Sequence, residues 1–102
     1  MIIRYEWTVE VIRDYGDGVE DIIESDFFDT FAKAKQNSLI NCNPVHEYVQ
    51  IGLVRQVFDS VDTLLSTSWA YITDGKLPEY LTDSSNRQIR KIPIRFHKEI
   101  AA

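Results

Sequence analysis

Three side chains of this 102-residue chain could act as soft metal ligands or as a nucleophile and its base: Cys42, His46 and His97. Cys42 and His46 stand four apart in a stretch broken by Pro44, and no Cys-x-x-Cys occurs. A structural zinc site takes four ligands at paired spacing. A Cys–His nucleophile pair needs donors for the oxyanion beside the thiol, and no glycine motif flanks Cys42. Asp14 and Asp17, with Gly16 and Gly18, lack the register of oxygen donors and the distal Glu that a calcium loop requires. A tight turn accounts for them. The chain has no phosphate-cradling glycine loop and no Gly-x-Ser-x-Gly element. Its remaining carboxylates fall mainly on a predicted solvent face, so they do not suggest an acid–base pair. The expectation is a protein without metal, cofactor or enzymatic activity.

Charge is the stronger signal. Residues 1–31 hold nine acidic side chains (Glu6, Glu10, Asp14, Asp17, Glu20, Asp21, Glu24, Asp26, Asp29) against Arg4 and Arg13, a net −7. Residues 32–63 balance at zero and residues 64–102 sum to +2, within a chain total of −5. A one-sided field selects the sign of a partner. Binding of nucleic acid by the whole surface is disfavoured, because phosphates are repelled. A local exception is the basic stretch Arg87, Arg90, Lys91, Arg95 and Lys98, interleaved with Ile89, Ile92, Ile94 and Phe96. It reads either as a contact for nucleic acid or an acidic protein, or as charge protecting an edge strand.

The elements that carry these residues follow from periodicity. Ile3, Tyr5, Trp7, Val9 and Val11 alternate with Arg4, Glu6, Thr8 and Glu10, which predicts a strand buried on one face. Asp17-Gly18 predicts a hairpin turn. Residues 19–27 return as a strand with Val19, Ile23 and Phe27 inward and Glu20, Glu24 and Asp26 together on the solvent face. Asp29 is the expected N-cap of a helix over 29–40. Its inward stripe is Phe28, Phe31, Ala32, Lys35 and Leu39, and Asn41 and Pro44 stop it. Residues 48–58 are apolar on both faces, as a central strand is, and Gly52 marks a bulge or a close approach. Asp59 to Asp62 make a turn, and residues 63–73 return as a strand containing Leu65, Trp69 and Tyr71. Leu77 to Leu81 read as a short extended piece or one helical turn. Residues 89–96 read as a last strand with Ile92, Ile94 and Phe96 inward, confined to an edge by Pro93. Trp7, Trp69, Tyr5, Tyr71 and Phe58 could line a pocket or an interface; their alternation reads as sheet core. The order ββ-α-ββ(β) predicts a single α+β domain over 1–102, with one helix packed on an antiparallel sheet of four to five strands.

No apolar run approaches the ~18–20 residues of a membrane helix. The lone Cys42 and the absence of a signal-peptide layout predict a cytoplasmic setting. Residues 69–80 (Trp-Ala-Tyr-Ile-Thr-Asp-Gly-Lys-Leu-Pro-Glu-Tyr) and 92–97 (Ile-Pro-Ile-Arg-Phe-His) resemble small accessory proteins of tailed bacteriophages. The resemblance implies a factor that binds and redirects a host protein in the host cytoplasm, with carboxylates on a rigid sheet imitating phosphates. The combined expectation is a non-enzymatic binding module whose Asp17, Glu20, Glu24 and Asp26 meet a basic host surface. A nucleic-acid-binding protein using the basic stretch, and a homo-oligomer joining acidic to basic faces, are the alternatives.

Overall fold

A computed structural model describes residues 1–39, 42–60 and 63–100. The chain runs β1 (Ile2–Gly16), β2 (Val19–Phe28), α1 (Phe31–Asn37), β3 (Glu47–Phe58), β4 (Leu64–Tyr71), β5 (Tyr80–Thr82), β6 (Gln88–Lys91) and α2 (Ile94–Ile100). The strands form one sheet in the order β2-β1-β3-β4-β5-β6. Every pairing is antiparallel. The architecture is therefore α+β, as expected, but with six strands and two short helices among the described residues rather than four to five strands and one helix.

The β1–β2 connection is the two-residue Asp17-Gly18 turn, flanked by the Gly16–Val19 pair. Both turn residues have positive φ, 56° and 76°. That is the turn geometry whose twist matches a hairpin, and Gly at the second position adopts it at no steric cost. β1 pairs with β3 without interruption from Ile2–Phe58 to Arg13–Glu47. β3 is therefore the interior strand that its two-sided apolarity predicts.

One face of the sheet carries the helices. Its core is Trp7, Val9, Ala34, Leu53, Ala70, Leu77, Leu81 and Ile92, with Tyr5, Phe28, Phe31, Phe96 and Ile100 packed against it. Trp7 is the hub. Phe31 of α1 meets its ring edge-on at 5.1 Å, Phe96 of α2 lies 6.3 Å away, and its indole N–H donates to Glu99 Oε2 at 3.1 Å. The aromatic pairs add to the area term by their geometry.

Both helices depart from expectation. α1 is shorter, and its N-cap is Thr30, whose hydroxyl accepts from the Lys33 N–H at 3.2 Å. Asp29 lies one residue earlier and pairs with Lys33 at 2.9 Å. Phe31 and Ala34 face the sheet, while Leu39 is 89% exposed. The proposed stop at Asn41 and the Val61-Asp62 half of the 59–62 turn lie outside the described residues. The expected last strand ends at Lys91, and α2 follows. Pro93 has its φ fixed near the helical value and no N–H to lose in the first turn. Its carbonyl accepts from the Phe96 N–H at 3.1 Å. Ile92, Phe96 and Ile100, four apart, meet the core, and Ile94 points away, 74% exposed.

Trp7 is 1% exposed and touches both helices and the sheet. Trp7→Ala is expected to destabilise the fold by about 3–5 kcal/mol, as large-to-small core changes do. Denaturant unfolding measures this, and a parent-like midpoint in the variant would refute the role given to Trp7.

Candidate functional site

Among the described residues no helix covers the opposite face of the sheet, yet that face is not simply wet. Thr8 and Glu10, on the polar side of β1, are only 3% and 6% exposed. They lie on the floor of a cavity of about 280 Å³. Ile22, Ser25 and Phe27 of β2, Val54 and Gln56 of β3, and Thr67, Trp69 and Tyr71 of β4 complete it. The expectation that alternation leaves Thr8 and Glu10 in solvent is corrected here. Phe27 of β2 and, beyond Gly52 of β3, Trp69 and Tyr71 of β4 wall the cavity above them.

Gly52 makes the arrangement possible. It pairs with Thr8 on one side and Tyr71 on the other. A Cβ there would stand 2.9 Å from Tyr71 Cδ1 and 3.1 Å from Thr8 Oγ1. The close-approach alternative for this glycine is the one found. The Tyr71 hydroxyl is turned to the Glu10 carboxylate. Burial pushes the Glu10 carboxyl above its ordinary value, and the Tyr71 hydrogen bond offsets part of that rise. The Tyr71 phenol is pushed up to about 12, first by its own burial and then by the neighbouring Glu10 charge. Glu10 Oε1 and Thr8 Oγ1 are both buried without a hydrogen-bond partner.

The acidic surface continues from this cavity towards the hairpin tip. Tyr48 pairs with Ile12 and donates a hydrogen bond from its hydroxyl to Glu20. That bond, first of all, pushes the Tyr48 phenol up to about 12, with Asp14 and Glu10 contributing.

The hairpin residues named from sequence are all exposed, but Glu20, Glu24 and Asp26 do not share a face. Asp26 pairs with Val9 and Glu24 with Val11, on the helix side. A bulge then inserts Ile23, so that Ile12 pairs with Ile22 and Glu20 with Asp14, on the opposite side. An extra residue reverses every later side chain. Asp17 stands at the tip. Arg13 is drawn away from these carboxylates by Glu47, to which its Nε and one terminal nitrogen donate at 3.0 and 2.7 Å.

The basic stretch is divided. Arg87 is held by Asp83 at 3.1 Å, Arg95 lies over the rings of Phe96 and Tyr5 at 4.9 and 5.8 Å, and Arg90 and Lys91 stand exposed on the β6 edge. Lys98 is exposed on α2. The two open sheet edges therefore carry opposite signs. Among the described residues no three of His, Cys, Asp and Glu converge as a metal site would require. Cys42 Sγ lies 3.9 Å from the Glu47 carbonyl oxygen. No described helix is long and apolar enough to cross a membrane. No family model, curated protein or solved structure matches this chain.

Sequence reasoning missed Glu10 as a site residue. The available signal was indirect: a glycine in a strand apolar on both faces, ahead of a strand that carries Trp69 and Tyr71.

Two outcomes test the site. Gly52→Ala is expected to cost about 1–3 kcal/mol by overpacking against Tyr71, read from the unfolding midpoint. Glu10 holds its proton more tightly folded than unfolded, so its stabilising share is full below its ordinary value of 4.5 and is lost as pH rises through the raised value. Glu10→Gln removes that loss. The melting temperature of the variant, relative to the parent, should rise between pH 4 and pH 7; a constant difference would show that Glu10 does not titrate in a buried site.

Proposed function

We propose that this protein is a non-enzymatic binding module whose acidic hairpin engages a basic surface of another protein. The observation that carries the reading is the state of charge on the outer hairpin. Asp14, Asp17, Glu20, Asp21, Glu24 and Asp26 are all exposed, and the one cation among them, Arg13, is occupied by Glu47. Such a field steers a positively charged partner and speeds encounter. The bulge spreads the carboxylates over both faces, which suits a partner that grips the hairpin rather than one that lies on it.

Apolar contact accompanies the charge. Val19, Ile22 and Phe27 are at least half exposed on β2, an edge strand with a free row of backbone groups. Edge strands accept added strands, with main-chain bonds giving affinity and alternate side chains giving specificity. The resemblance of residues 69–80 and 92–97 to phage accessory proteins makes a host protein, met in the host cytoplasm, the partner expected.

Replacing Glu20, Glu24 and Asp26 by Gln, Gln and Asn tests the reading. Against a partner recovered from host lysate by salt elution, the association rate at low salt should fall several-fold. The parent's own rate should fall towards the variant's as salt is added. Unfolding stability should stay within about 0.5 kcal/mol, as for exposed substitutions generally. Equal association rates at low salt would reduce the hairpin charge to a solubilising surface.

A further inference from the structure

The cavity over Glu10 holds an unspent acceptor in an aromatic setting. Leaving a buried polar atom without a partner is costly, and here two such atoms, Glu10 Oε1 and Thr8 Oγ1, belong to neighbouring positions on one face of β1. Both residues line the cavity, and no Lys, Arg or His does. The missing partner is therefore a donor, and against a carboxylate the best donor is a cation. A metal ion is a poorer match: hard cations are held mainly by carboxylate and carbonyl oxygens, and among the described residues lining the cavity Glu10 is the one carboxylate, beside Phe27, Trp69 and Tyr71. Aromatic walls instead suit an organic cation, through attraction to the ring faces. The volume, about 280 Å³, lies just under the usual range for whole small-molecule ligands and suits the head of one side chain.

We propose that this cavity receives an alkylguanidinium or alkylammonium group, with the Glu10 carboxylate as counter-charge, the Thr8 hydroxyl as a second acceptor and the Trp69 and Tyr71 rings as walls. A cation seated there would relieve the cost of burial that pushes the Glu10 carboxyl upward. The source of the group is either an arginine or lysine of a protein partner or a free amine. The first source rests on the acidic-hairpin reading above, and continuity supports it: Tyr48, Glu20 and Asp14 extend the acidic surface from the cavity towards the hairpin tip.

The test titrates the full chain with N-acetylarginine amide, and with N-acetylcitrulline amide as its neutral isostere, following amide and indole resonances. The expected result is saturable shifts at Gly52 and the Trp69 indole, with arginine bound at least tenfold more tightly than citrulline. Glu10→Gln, nearly isosteric, should erase that preference, and Thr8→Val should weaken arginine binding a few-fold. The triple hairpin variant should keep the preference. Agmatine binding more tightly than N-acetylarginine amide would assign a free amine as the source, and the reverse order would assign a side chain. Absence of saturable shifts, equal binding of the two probes, or a preference that survives both Glu10→Gln and Thr8→Val overturns the proposal. If the preference survives those two changes but vanishes in the triple hairpin variant, the cavity fails while the hairpin reading stands. If the cavity binds as expected but the hairpin variant associates with the protein partner at the parental rate, the hairpin reading fails alone.

Discussion

β1 is paired along both edges and covered on both faces, and most of the structure follows from that. Residues Trp7 to Ile12 are all buried, although they alternate between apolar and polar side chains. A strand in this position has no solvent side to offer its polar members. Facing the helices, the odd positions supply Trp7 and Val9, and the core assembles on them. On the other face, Thr8 and Glu10 are enclosed by neighbours instead of wetted. The titration of Glu10, the flat approach of Tyr71 over Gly52 and the aromatic rim all follow from burying a carboxylate where a sheet normally meets water.

The same strand runs from the three-stranded centre of the sheet into a two-stranded end. β3 accompanies β1 only as far as Arg13, beyond which β2 is its one partner in the sheet. The Arg13–Glu47 pair lies at that limit. Past it there is little apolar burial to hold, and the composition turns to carboxylates and the tight Asp17-Gly18 turn. The Ile23 bulge adds local twist at this junction.

What could be read from the sequence was local. The alternation around Trp7, the Asp-Gly turn and the two-sided apolarity of β3 each depend on neighbours within a few residues, and each matched the fold. The C-terminal helix was hidden because Ile92, Ile94 and Phe96 satisfy a period of two as well as Ile92, Phe96 and Ile100 satisfy a spacing of four. Only contact with Trp7 decides between them. Asp29 and Thr30 are both good caps, and the choice depended on where the chain leaves β2. The bulge left no mark in composition, yet it moved Glu20 to the other face from Glu24. Glu10 was misread for the most physical reason: alternation reports which face a residue takes, and only tertiary structure reports what stands over that face.

The opposite signs of the outer strands have an effect at distance. β2 carries Glu20, Asp21, Glu24 and Asp26, and β6, at the far margin, carries Arg90 and Lys91. Five strand spacings place these margins roughly 24 Å apart. The sheet is thereby an electric dipole lying in its own plane, superposed on a net negative charge. A charged body approaching through dilute salt exerts a torque as well as a pull. The molecule turns before it touches, so its orientation at first contact is chosen in solution rather than found by trial on the surface.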